Sequence, residues 1–162
     1  MVFLRIFLHS LKLPSKQAVF QLNRIGMDFT VIYMFLLMLL ISTPSLVDRL
    51  STASGTDENM NVLFFLIYFF IFFYLPLTIV AFLFIALIAY LGTGLAKLLR
   101  RKIRFPILWK LTVYTTTIPF MLYTVTALLF PLNDLWLSLY MLYSLVLIIK
   151  VITVYPKRKK RT

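Results

Sequence analysis

"VLFFLIYFFIFFYLPLTIVAFLFIALIAYLGTGLA", Val62 to Ala96, carries no charged residue, and its reading decides the fold. As one straight helix it would be about 52 Å long at 1.5 Å per residue. The hydrocarbon core of a bilayer is only about 30 Å thick. The run is therefore either one long tilted helix or two short spans turning at "YLPLT", Tyr74 to Thr78. Charge chooses between them, because short cytoplasmic loops collect Lys and Arg. With one span here, every basic residue except Arg49 and Lys150 falls on one side, and every acid except Asp28 on the other. Splitting the run would move Lys97, Arg100, Arg101, Lys102, Arg104 and Lys110 to the wrong side. The sequence thus predicts one long helix, bent near Pro76.

Working outward, "MDFTVIYMFLLMLLISTPSLV" (Met27 to Val47) is a first span and "DRLSTASGTDENMN" (Asp48 to Asn61) the outer loop after it. A third span covers roughly Ile107 to Phe130, "PLND" makes a turn, and a fourth covers roughly Leu135 to Tyr155. Trp109 and Trp136 fall at interface depths, where indoles anchor. The fold class is all-α: four transmembrane helices, the second long and kinked, preceded by an N-terminal interfacial amphipathic helix. The divisions are a basic arm over 1–26, a membrane domain over 27–155 and a basic tail over 156–162, with both termini cytoplasmic.

Composition supports lipid as the solvent. The 162 residues are 62% hydrophobic and 14% charged, with a mean hydropathy of +0.95. Soluble domains are about 45–50% apolar and roughly 25% charged. A net charge of +12 raises nucleic acid as a partner, but the charge lies between apolar runs, so no nucleic acid is expected. With no cysteine there is no disulfide, thiolate metal site or Cys nucleophile. The first long apolar run lacks a small-x-small site after it, so it reads as a retained span rather than a cleaved leader.

In the arm, Phe3, Leu4, Phe7, Leu8 and Leu11 share one helical face, and Arg5, His9, Lys12 and Lys16 recur at the helical period. Ser15 suits the N-cap of a second short helix after Pro14, and Gly26 a break before the first span. A basic amphipathic helix of this kind is expected in the cytoplasmic headgroup layer, with packing against the protein's own spans as the alternative. His9 reads as one more polar-face residue.

"FLHSLKLPSKQAVFQLNRIG" sets a Ser four residues before a Pro, then a short helix and a Gly before the first span. "GLAKLLRRKIRFPILWKLTVYTTTIPFML" joins a basic loop to a span with a Thr-x-Pro step. Together these resemble the Gram-positive membrane-protein family filed as domain of unknown function 1189, itself similar to the Yip1-like small multi-span proteins. The resemblance implies a bacterial plasma membrane. It supplies no reaction, although an association of some relatives with maltodextrin use implies a link to carbohydrate uptake. Family members often carry a larger region between the first two spans than Asp48 to Asn61.

Candidate chemistry is sparse. "GTGLAK" follows an apolar helix rather than a strand and lacks full phosphate-loop spacing. Gly92 and Gly94, with the alanines around them, read as helix-packing positions. The basic residues Arg5, Lys12, Lys16, Lys97, Arg100, Arg101, Lys102, Arg104, Lys157, Arg158, Lys159, Lys160 and Arg161 fix topology and attract anionic headgroups. Asp28 and Lys150 intrude on spans one and four near their cytoplasmic ends, and we expect them to face each other as a charge pair. Thr112, Thr116, Tyr123 and Thr126 form a polar face of span three around Pro119, read as interhelical glue before a substrate path. No catalytic set, metal site or cofactor site is apparent. The expectation is a non-enzymatic accessory, scaffold or assembly partner of another membrane protein, or a homo-oligomer, in anionic lipid. The alternative is a small oligomeric transporter or channel component.

Overall fold

The computed structural model describes residues 2–56, 61–130 and 135–156, without the side chains of 52–56 and 135–141. Lys157, Arg158, Lys159, Lys160, Arg161, Asp57, Glu58 and Asp134 lie outside these residues, as does the side chain of Trp136. Among the described residues the chain is all-helical, with no strand. In order the helices are α1 (Val2–Leu11), α2 (Lys16–Asn23), α3 (Met27–Thr56), α4 (Val62–Phe69), a π-helical turn (Phe70–Tyr74), α5 (Leu75–Leu98), α6 (Phe105–Thr115), α7 (Thr117–Leu129) and α8 (Leu135–Val154).

Among the described residues, three helical stretches are long and apolar enough to cross a membrane: Met27–Ser51, Val62–Leu98 and Phe105–Leu129. The Val62–Leu98 run is one continuous helix of 37 residues. The backbone does not reverse at "YLPLT". It widens into the π turn, where the N–H of Leu75 reaches the carbonyl of Phe70. Pro76 follows directly in α5; inside a continuous helix it lacks the N–H that Phe72 O would accept, and the widened turn lies where that bond is missing.

Local chemistry sets the boundaries. Ser15 caps α2, its hydroxyl accepting from the Ala18 N–H at 3.4 Å, and Asn61 Oδ1 accepts from Leu63 N–H at 3.0 Å to start α4. Gly26 separates α2 from α3. The α6–α7 break at Thr116 precedes Pro119, which lacks the N–H that Thr115 would accept and whose ring crowds that carbonyl. Inside α3, Pro44 likewise frees the Leu40 carbonyl. The Thr124 hydroxyl of α7 reaches this carbonyl at 3.4 Å.

The α6–α7 helix is the axis of the bundle, packing against α2, α3, α5 and α8 and against α1. Its most apolar stretch is 56% buried, against 39% for α3 and 22% for Val62–Leu98. The arm joins this core. Ile6, Ser10, Leu13, Ala18, Val19 and Leu22 are buried, and α1 meets α7 while α2 meets α6 and α8. Of the expected apolar face only Phe7 packs against the core; Phe3, Leu4, Leu8 and Leu11 remain exposed, and the residues that turn inward, Ile6 and Ser10, lie beside that face. The reason is that α1 is apolar on more than one side, so the bundle takes one face and leaves a leucine stripe open. Trp109 is buried against Phe82, ring centroids 5.9 Å apart, rather than standing free as an anchor.

Candidate functional site

Two regions of the bundle carry the polar chemistry: a hydroxyl seam between α3 and α6–α7, and the basic end where α2, α5, α6 and α8 meet.

In the seam, Thr30 Oγ1 lies 2.6 Å from Tyr114 Oη. Thr30 already donates its single proton to the Gly26 carbonyl at 3.1 Å, so Tyr114 is the donor. Tyr33 Oη meets Thr117 Oγ1 at 3.0 Å, and Ser10 of α1 lies against the Tyr33 hydroxyl. Thr124 reaches Leu40. These three crossings, 30 to 114, 33 to 117 and 40 to 124, share one sequence offset of 84. A constant difference means the two helices run in the same direction, since an antiparallel pair would hold a constant sum. The helix between them, Val62–Leu98, must therefore return the chain to its starting end.

The polar face expected on span three is distributed differently. Thr112 donates to Leu108 O at 2.8 Å and Thr116 to Val113 O at 2.7 Å. Thr126 donates to Leu122 O at 2.8 Å, and Tyr123 packs half-buried against the core. The threonine bonds satisfy their own helix. The hydroxyls that cross to a neighbour are those of Tyr114, Thr117 and Thr124, at helical steps of three and seven.

At the basic end, Lys110 Nζ donates to the carbonyls of Asn23 and Ile25, each at 2.8 Å. It closes the C-terminal end of α2, where the helix dipole favours a cation. The α5–α6 turn has Arg100 in the left-handed region at φ 53°. The Arg101 N–H reaches Ala96 O at 2.8 Å and the Arg100 N–H reaches Lys97 O at 3.0 Å. This is the helix-ending motif whose left-handed position usually belongs to glycine. Arg101 donates from Nη1 to the Tyr155 carbonyl just beyond α8. Lys97, Arg100, Lys102 and Arg104 are exposed around this corner, and Arg5, Lys12 and Lys16 are exposed on the arm.

Gly92 and Gly94 part company. A Cβ on Gly92 would stand 2.6 Å from Leu108 Cδ2 and 3.6 Å from Ile152 Cδ1, whereas one on Gly94 meets nothing within 4 Å. Gly92 is a packing glycine and Gly94 is not, because two residues along a helix turn the side chain about 200° away. The expected Asp28–Lys150 pair is not formed. Both side chains are exposed and no ion pair joins them. Their helices α3 and α8 each pack on α6–α7 rather than substantially on each other.

An apolar groove of 710 Å³ opens between α3 and the long helix, with Phe35, Tyr74, Thr78 and Phe82 in its lining. Its polar groups are satisfied: Tyr74 Oη donates to Phe35 O at 3.0 Å and Thr78 Oγ1 to Tyr74 O at 2.7 Å. Among the described residues no three of His, Cys, Asp and Glu gather as a metal site.

The class of protein defined by this geometry is a helical bundle with, among the described residues, three helices long and apolar enough to cross a membrane. No protein family, curated protein or solved structure matches the chain in comparison.

Proposed function

We propose that the chain is a four-span integral membrane protein of a bacterial plasma membrane. The basic end of the bundle faces the cytoplasm, and α8 is the fourth span. In this reading α1 and α2 lie at the cytoplasmic surface, packed on the bundle through Ile6 and Leu22. Leu4, Leu8 and Leu11 enter the lipid, and Arg5, Lys12 and Lys16 meet anionic headgroups. Exposed cations on the α5–α6 turn add to the same attraction, each worth about 1 kcal/mol beside an anionic leaflet.

Within that frame the protein acts as a non-enzymatic assembly partner of other membrane protein. The observation that carries this is the sparse burial of Val62–Leu98, 22% over its most apolar stretch, which leaves the longest helix as a contact face. The transport alternative gains less support, because the Tyr114, Thr117 and Thr124 hydroxyls are engaged with neighbouring hydroxyls or carbonyls. Photoreactive residues placed at Leu83, Leu87 and Leu91 in native membranes test the proposal. Covalent capture of protein supports it; attachment to lipid alone at all three positions overturns it.

A further inference from the structure

We infer that the outer end of the long helix, residues 62–72, is a docking face for a second copy of this chain. The inference rests on the topology proposed above. Gly92 packs on Leu108 close to the basic end, and from there to Phe73 the helix rises about 28 Å. That is close to the thickness of the hydrocarbon core, about 30 Å. At this level the Arg49 guanidinium sits over the Phe73 ring, 4.8 Å from its centroid. A guanidinium is expelled from mid-bilayer, so Phe73 marks the outer edge of the hydrocarbon.

Residues 62–72 add about 16 Å of helix beyond that edge. A headgroup layer is only about 5–7 Å deep. The first turns of α4 therefore stand beyond the reach of lipid, yet they are almost wholly apolar. Phe64 is 67% exposed, Tyr68 52% and Phe72 65%. These three recur at every fourth residue as a ridge, and the Tyr68 and Phe72 rings stack at 4.7 Å. Aromatic side chains present about 150–250 Å² each, so the ridge exposes roughly 400 Å², within the range of the largest, often functional, apolar patch on a protein surface.

The chemistry of the ridge favours self-association. Two copies in one bilayer with the same orientation can pair about a two-fold axis along the membrane normal, the commonest symmetry of homo-oligomers. That axis lays ridge on ridge. No charged residue between Asn61 and Ala96 repels its own copy. The exposed stripe continues through Leu75, Ile79 and Leu83, extending the contact towards the roughly 800 Å² per partner of a stable interface.

The chain has no cysteine, so Phe64→Cys and Tyr68→Cys each introduce a sole thiol on an exposed side chain. Under copper-phenanthroline oxidation in native membranes, both variants should run largely as covalent dimers. Leu122→Cys, exposed on α7, should stay monomeric. Phe64→Cys and Tyr68→Cys remaining monomeric, or joining a different protein, overturns the inference. Labelling of Ser51→Cys by an impermeant maleimide reads the topology separately. Outside labelling without dimers sinks the docking face alone, and inside labelling sinks the topology beneath it.

Discussion

Gly92 and Gly94 lie two residues apart in α5 and predict opposite outcomes for the same substitution. Gly92→Ala places a methyl 2.6 Å from Leu108 Cδ2, so the Leu108 side chain, itself fully buried, must shift within a close-packed interior. Overpacking of this kind costs about 1–3 kcal/mol. Gly94→Ala meets nothing within 4 Å. Both substitutions gain the helix propensity of alanine over glycine, about 1 kcal/mol. That gain cancels in the comparison, so Gly92→Ala should be less stable than Gly94→Ala by about 1–3 kcal/mol. Relative to the parent, Gly94→Ala should be neutral or stabilised. Reversible unfolding in mixed micelles, followed by helical circular dichroism, measures the difference. Equal stabilities of the two variants would refute the packing of α5 on α6 and α8 at this point.

Other consequences follow from the seam and the basic end. Tyr114→Phe removes the donor to Thr30 and should cost about 0.5–1.5 kcal/mol. A double-mutant cycle with Thr30→Val should show coupling of that order, and zero coupling would contradict the crossing. Lys110→Met removes two charge-assisted bonds to the end of α2, each worth about 1.5–3 kcal/mol, and should raise protease cleavage between α2 and α3 while leaving the spans protected. Arg100→Gly relieves a left-handed conformation that disfavours side chains by about 1–2 kcal/mol, and should raise unfolding stability by up to that amount.

The apolar runs, the basic clusters, the cap at Ser15 and the break at Gly26 were legible from residue type alone, because each follows from one segment's own chemistry. What depended on a partner helix was not. Thr112 and Thr116 look in sequence like Thr117 and Thr124, yet the first two bond only to their own helix, Thr117 meets Tyr33 of α3, and Thr124 adds a 3.4 Å reach to Leu40 O of α3 to its own-helix bond with Phe120 O at 2.9 Å. Only the parallel register with α3 separates them. Asp28 and Lys150 share a depth and opposite signs, but depth does not fix azimuth, and α6–α7 holds their helices apart. The arm was legible in part: its period marks an amphipathic helix, while the inward turn of Ile6 and Ser10 onto the bundle depends on the helices it meets.

The central claim is that a single long helix returns the chain to its basic end, so that the two ends of that helix lie on opposite sides of the membrane. Ser51→Cys precedes its outer start and Lys102→Cys follows its inner end. In intact cells, an impermeant maleimide should label Ser51→Cys and spare Lys102→Cys, with the pattern reversed in inverted vesicles. Labelling of both residues from the same side would contradict the account.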